Sequence, residues 1–198
     1  MIVSWNVRGC NKIAKIKEIN SRLRALKPYI AILVETRIKQ DKAKKLRARL
    51  EGRWNYINNY ASHLNGRIWI LWDPTKINIQ VMNEGTQYIH CRLSRLDGSF
   101  ITWITAVYAL NRIEDRCRLW THLESLQPHT GENWMLLGDF NNVLSVQDRV
   151  GGTRVHPNEF KDLVDMMDRV DLHEVDSIGE HYTWHNKHTT DPIYSRID

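Results

Sequence analysis

The sequence has little of what marks secreted, membrane-bound or disordered proteins. Its three cysteines, Cys10, Cys91 and Cys117, lie far apart and form no CxxC pair, so neither a disulfide nor a zinc framework is expected. No apolar run approaches the roughly 18 residues of a membrane span, and the N-terminus lacks the pattern of a signal peptide. No repeat, low-complexity tract or linker interrupts the 198 residues. We therefore expect one intracellular domain over residues 1–198, in the nucleus or cytoplasm and not secreted. It is expected to be a monomer without membrane contact or an obligate protein partner.

The charge is unevenly distributed along the chain. The formal net charge is +5, but residues 1–53 carry 15 Lys and Arg against 4 Asp and Glu, whereas residues 54–198 carry 13 against 19. A concentrated positive charge attracts polyanions, and phosphate contacts are its usual purpose. The basic first quarter therefore favours a nucleic acid as partner. The alternative is two solvated helix faces that are basic without a ligand.

The spacing of apolar residues predicts short strands alternating with helices. Ile13, Ile16, Ile19, Leu23 and Leu26 form one face of a helix that would begin at Asn11 as N-cap and end before Pro28. Buried or half-buried strands are predicted at 1–5, 30–34, 67–72, 77–81, 88–93, 100–108, 134–137, 181–184 and 194–198, and further helices at 40–50, 113–126 and 157–167. The fold class predicted is α+β, a four-layer α/β/β/α sandwich of two mixed sheets flanked by helices.

Polar side chains follow several of the predicted strands. Asn6 ends the first strand, Glu35 follows the second, and Asp139 and Asn141 follow the strand at 134–137. Carboxylates that converge with amides make an oxygen site suited to Mg²⁺, and the same carboxylates can orient or deprotonate an attacking water. The alternative is an ordinary one, in which Glu35 is solvated and the segment at 139–142 is a turn.

Six motifs occur in a family's order: SWNVRG at 4–9, LVETR at 33–37, VYA at 107–109, GDFNN at 138–142, YTWHN at 182–186 and SRID at 195–198. Together they resemble the endonuclease/exonuclease/phosphatase (DNase I-like) superfamily. More closely, they resemble the apurinic-endonuclease-like domain of plant non-LTR (LINE-type) retrotransposons. The resemblance covers essentially the whole chain.

The resemblance implies a role for each motif residue that matches. Glu35 would be the main Mg²⁺ ligand, with Mn²⁺ as a possible substitute, and Asn6 would help to hold that site. Tyr108 would contact the scissile phosphate. Asp139 would position or activate the attacking water, and Asn141 would stabilise the pentacovalent phosphorus.

The remaining matches concern the DNA-facing rim and the last motif. Trp184 and Asn186 would line the rim, although Trp184 as a core aromatic is equally compatible with the sequence. Asp198 would be the aspartate that orients a catalytic histidine. Arg8 departs from the acidic residue common in apurinic endonucleases and agrees with the plant retrotransposon proteins, where it is expected to contact nucleic acid.

A second departure concerns the end of the sequence. The family pattern continues with a Ser-Asp-His block, whereas this sequence stops at Asp198. The resemblance predicts that the last strands are missing and that DNA nicking is at least about a hundredfold weaker than in an intact relative.

Three functions remain open from the sequence. The first is a Mg²⁺-dependent endonuclease of retrotransposon origin that nicks DNA. The second is a phosphatase acting on small phosphoesters with the same fold, which the fold alone does not exclude. The third is a nucleic-acid-binding remnant without catalysis.

Overall fold

The computed structural model describes residues 1–198 and divides them into two compact units. The first unit comprises residues 1–108 and 128–138, and the second comprises residues 109–127 and 139–198. The single domain over residues 1–198 stays a prediction. None of the helices has the length and apolar character needed to cross a membrane.

The first unit contains two four-stranded sheets. The first sheet has the order β1-β2-β4-β3, in which β1 runs parallel to β2 and the other pairs are antiparallel. The second has the order β5-β6-β7-β8. The strands are β1 (Ile2–Asn6), β2 (Ile30–Val34), β3 (Asn55–Asn58), β4 (Ile68–Trp72), β5 (Asn78–Glu84), β6 (Tyr88–Ser94), β7 (Phe100–Tyr108) and β8 (Trp134–Asp139).

Strand β2 is buried on both faces, because alternate side chains of a strand enter opposite layers. Ile30, Ile32 and Val34 pack with residues of β6 and β7 between the two sheets. Ala31 and Leu33 pack on the other side. There they meet the apolar faces of helices α1 (Ile13–Leu26) and α2 (Gln40–Arg47).

The second unit contains two helices and a small sheet. Helices α3 (Ile113–Ser125) and α4 (Lys161–Arg169) lie together, and an ion pair joins Arg169 Nε to Glu124 Oε1 at 2.9 Å. The antiparallel sheet has the order β10-β11-β9, formed by β9 (Arg149–Val150), β10 (Trp184–His185) and β11 (Tyr194–Ser195).

The predicted fold class is confirmed, since two four-stranded sheets, a small third sheet and four α-helices form an α+β protein. The predicted N-cap of α1 is wrong. Lys12 holds that position, while the side chain of Asn11 donates to the carbonyl of Arg37 at 2.7 Å. The end is as predicted, because Lys27 adopts a left-handed conformation before Pro28.

Candidate active site

The ends of β1 and β2 bring two predicted site residues to one edge of the first sheet. The strands are parallel, and Asn6 is in register with Val34, the residue before Glu35. Backbone hydrogen bonds continue past the strands, from Gly9 N–H to Glu35 O at 2.8 Å and from Cys10 N–H to Thr36 O at 3.0 Å. Asn6 and Glu35 therefore share the carboxyl edge of the parallel pair, whereas their roles in a metal site stay a prediction.

The backbone at this edge is strained. Arg8, Glu35 and Arg37 have φ values of +48°, +55° and +52°, in the left-handed region that L-residues other than glycine seldom adopt. Each such residue costs about 1–3 kcal/mol, and such residues cluster at functional sites. Three of the seven non-glycine residues with positive φ in the chain therefore lie at this one edge.

The carboxylate of Glu35 is almost completely buried, with 10% of its side chain exposed. Its Oε1 accepts a hydrogen bond from Nη2 of Arg37, whose side chain is 58% exposed. Burying a carboxylate is costly unless it has a partner, and Arg37 supplies that partner. The sequence motifs gave Arg37 no role, although a cation two residues after a candidate metal ligand was a usable signal.

Asn6 holds the turn that follows β1. Its Oδ1 accepts the backbone N–H of Arg8 at 3.0 Å, while Arg8 itself is exposed. Glu35 and Asn6 thus offer a carboxylate and an amide at one edge, and no group of three or more His, Cys, Asp and Glu side chains lies together in the 198 residues. Zinc sites need three or four such ligands, whereas Mg²⁺ takes one or two carboxylates and keeps water and substrate phosphate as further ligands. The residues present fit Mg²⁺.

Tyr108 is the last residue of β7 and belongs to the first unit. It is 6% exposed, and its backbone N–H donates to Gln87 O at 2.9 Å. The guanidinium carbon of Arg67 lies 5.5 Å from the centre of its ring. Arg67 was not identified from the sequence, because it begins the strand predicted at 67–72 and belongs to none of the six motifs.

Two other reactive groups near this edge are held in their protonated forms. Burial raises the pKa of the Cys10 thiol to about 12, against a smaller opposing effect of Lys15. Burial likewise raises the pKa of Tyr60 to about 12, and its hydroxyl donates to Ile38 O at 2.9 Å. Because a nucleophile must lose its proton to attack, burial disfavours Cys10 and Tyr60 as nucleophiles.

Asp139 and Asn141 form a tight turn in the second unit. Oδ1 of Asp139, a residue 3% exposed, accepts the backbone N–H of Asn141 at 2.9 Å. Nδ2 of Asn141 donates to Ala109 O at 2.7 Å, and Ala109 N–H donates to Asp139 O at 2.8 Å. Asn141 has a φ of +46°. The turn fixes a buried carboxylate beside an amide, as expected of groups that orient water and stabilise negative charge.

The chain segment ending at Asp198 lies beside this turn. Phe140 N–H donates to Ile197 O at 2.9 Å, and Asp198 N–H donates to Oγ1 of Thr183 at 3.3 Å. The predicted role of Asp198 in orienting a histidine stays a prediction.

The predicted rim residues lie on β10 and in the loop that follows it. Trp184 lines an open pocket of about 340 Å³, whose other lining residues are Glu180, Tyr182, Thr183, His185 and Tyr194. Asn186 braces the loop instead of projecting from it. Its Oδ1 accepts the backbone N–H groups of His188 and Ile193 at 3.1 Å each, and its Nδ2 donates to Asp191 O at 2.9 Å. Nucleic-acid contact by Arg8, Trp184 and Asn186 stays a prediction.

Comparison with known proteins identifies one family. The model of the endonuclease/exonuclease/phosphatase family matches residues 3–198. No curated protein matches the chain by sequence.

Solved structures with the same fold are distant in sequence. The endonuclease domain of TRAS1, a telomere-specific non-LTR retrotransposon, is 12% identical, with 99% of this chain and 81% of that domain covered and a TM-score of 0.71. The AP endonuclease LMAP from Leishmania major is 14% identical, with coverage of 85% and 66% and a TM-score of 0.66. The mannosyl-6-phosphatase Bt3783 from Bacteroides thetaiotaomicron is 13% identical, with coverage of 76% and 72% and a TM-score of 0.54. Nucleases and a phosphatase share this fold, so the fold does not select the substrate.

Proposed function

The chain belongs to the endonuclease/exonuclease/phosphatase family, and from that premise we propose that it is a Mg²⁺-dependent endonuclease of retrotransposon origin that nicks DNA. The observation that carries the proposal is the buried carboxylate of Glu35 at the same sheet edge as Asn6. The motif resemblance and the fold shared with the TRAS1 endonuclease domain support a retrotransposon origin.

The motif resemblance assigns each of these residues a separate part in phosphodiester hydrolysis. Glu35 and Asn6 would hold Mg²⁺, which supplies positive charge to a phosphate oxygen and so stabilises its developing charge. The hydroxyl of Tyr108 would contact the phosphate. Asp139 would accept a hydrogen bond from the attacking water and take its proton. The side-chain amide of Asn141 would donate a hydrogen bond to an oxygen of the phosphate. Such catalysis depends on positioning and charge stabilisation.

The experiment that tests the function is plasmid nicking by the purified protein. We expect supercoiled plasmid to become open circles in Mg²⁺ or Mn²⁺ and to stay supercoiled in EDTA. p-Nitrophenyl phosphate and a sugar phosphate are assayed in parallel. Hydrolysis of these small esters without nicking would favour a phosphatase, and duplex binding without any hydrolysis would favour a binding protein. Either result contradicts the proposal.

The surface of α2 gives DNA binding a physical basis. Residues 39–49 carry six Lys and Arg and one acid, Asp41. The helix is anchored through Ala43 and Leu46. Five cations of this segment are exposed and form no ion pair, namely Lys39, which precedes the helix, and Lys42, Lys44, Lys45 and Arg49. The last four are chosen for substitution. Exposed cations that form no ion pair are suited to neutralise backbone phosphates.

We expect replacement of these four residues by Gln to weaken duplex binding and to flatten its dependence on salt. The slope of log affinity against log salt concentration falls by about 0.9 for each phosphate that the protein no longer neutralises. Fluorescence anisotropy of a labelled duplex at several salt concentrations measures that slope. The matched control replaces four exposed cations elsewhere by Gln, namely Lys76, Arg95, Arg118 and Arg154. Equal salt slopes for the two variants would show that the cations of α2 contact water and not DNA phosphates.

A further inference from the structure

Arg67 lies next to the candidate metal ligand although no sequence motif marks it. In the antiparallel pair of β2 and β4, Val34 is in register with Ile68, so the register places Arg67 beside Glu35. Thr36 N–H donates to the carbonyl of Arg67 at 3.3 Å. The backbone of Arg67 is therefore part of the same sheet edge.

The structure holds Arg67 in place with buried hydrogen bonds. Asn59 is completely buried, and its Oδ1 accepts the backbone N–H groups of Arg67 at 3.0 Å and of Ile68 at 3.1 Å. The hydroxyl of Thr36 donates to Gly66 O at 2.6 Å. The side chain at position 67 therefore starts from a fixed backbone, which favours precise placement of its charge.

The side chain of Arg67 is half-buried, and no carboxylate pairs with its guanidinium. Its Cζ lies 5.5 Å from the ring centre of Tyr108, and its Nε is buried with no hydrogen-bond partner. No ion pair joins it to any carboxylate of the 198 residues. Burial is the main reason why the pKa of His63 is lowered, and the positive charge of Arg67 lowers it further. A half-buried cation without an anionic partner is unfavourable for the protein alone, and a bound anion would offset that cost.

We propose that Arg67 binds a phosphate group of the substrate beside Tyr108. A guanidinium presents a rigid fork of N–H donors that matches two phosphate oxygens, and the bond is strengthened where water is partly excluded. The identification of that phosphate as one in DNA rests on the proposed function, whereas phosphate binding itself does not. Arg67 thereby adds a fixed positive charge to the edge that carries Glu35.

The alternative is a purely structural role, in which Arg67 only stacks on the ring of Tyr108. The chain offers a matched control, because the guanidinium of Arg92 lies 5.3 Å from the ring centre of Phe100. If stacking is all that Arg67 does, then Arg67→Gln and Arg92→Gln change thermal stability similarly and leave anion binding unchanged.

The test measures binding in EDTA, so that cleavage plays no part. Anisotropy of a labelled duplex reports nucleic-acid binding, and the shift in melting temperature with inorganic phosphate reports binding of a free anion. We expect Arg67→Gln to weaken duplex binding about tenfold and to lower the salt slope by about one, with Arg92→Gln unchanged. If Arg67→Gln loses the phosphate-induced shift in melting temperature but binds the duplex like the wild type, the phosphate site is also supported and belongs to a small substrate.

Unchanged binding of both probes by folded Arg67→Gln overturns the proposal. If that variant does not fold, Arg67→Lys takes its place, because it keeps the charge and loses the fork. It is expected to bind the duplex about threefold to tenfold more weakly than the wild type, and wild-type binding by it overturns the proposal. Because these readouts need neither Mg²⁺ nor cleavage, failure of nicking and failure of the Arg67 site are separate results.

Discussion

Replacement of Glu35 by Ala is expected to reduce Mg²⁺-dependent plasmid nicking at least about a hundredfold. A positioned catalytic group is worth about 10²–10⁴ in rate, and Glu35 is the buried carboxylate at the edge that carries Asn6. Asp139→Asn is expected to have an effect of similar size. Asn at this position can still accept the backbone N–H of Asn141, so the substitution removes charge with little change of the turn.

These losses must be separated from unfolding. Arg37 is 58% exposed, so water can solvate it when Glu35 is removed, and we expect the free energy of unfolding to change by less than about 1 kcal/mol. Thermal melts check this expectation. Glu114→Ala and Asp176→Asn, at exposed positions, are the matched controls and should nick like the wild type. Full nicking by Glu35→Ala would contradict the assignment of the metal site.

Replacement of Gly138 by Ala is expected to destabilise the first unit by more than about 3 kcal/mol. A Cβ atom there would lie 1.9 Å from the carbonyl oxygen of Val107, on the neighbouring strand β7. The glycine also has a φ of +146°, which L-residues rarely adopt. Because the clash is with backbone, no change of rotamer relieves it, and the loss is large against a typical stability of about 5–15 kcal/mol.

Gly98 provides the control that separates the clash from the backbone strain. Its φ is +87°, and a Cβ atom there would meet nothing within 4 Å. Gly98→Ala is therefore expected to cost only about 1–2 kcal/mol. Urea unfolding of the two variants gives the difference. Equal midpoints would show that β7 and β8 move apart at little cost.

The strands buried in the first unit could be predicted from sequence because their composition leaves little choice. The runs at 30–34 and 100–108 were predicted with the bounds observed for β2 and β7. Strand β3 was not predicted, since Asn55 and Asn58 give it polar ends. Asn11 was misassigned because its side chain is used by a segment 26 residues away, and such a partner is invisible in local sequence.

The candidate site was predictable where it depends on strand ends. The sequence placed Asn6 and Glu35 after strands, and the parallel pairing of β1 with β2, which the sequence did not show, brings them to one edge. Arg67 was not predictable, because its importance comes from a cross-strand register, the buried amide of Asn59 and the ring of Tyr108. For Asn186 the sequence did not reveal the hydrogen bonds of its amide within the loop after β10, and its contact with nucleic acid stays a prediction.

The left-handed residues at the end of β1 and after β2 have a consequence for directed evolution. Glycine at position 8, 35 or 37 would relieve backbone strain of about 1–2 kcal/mol. It would also delete a cation or the carboxylate that pairs with one. A library screened for heat resistance alone would therefore enrich glycine at these positions and lose the side chains of the candidate site, whereas a screen that also scored the proposed nicking of DNA would retain them.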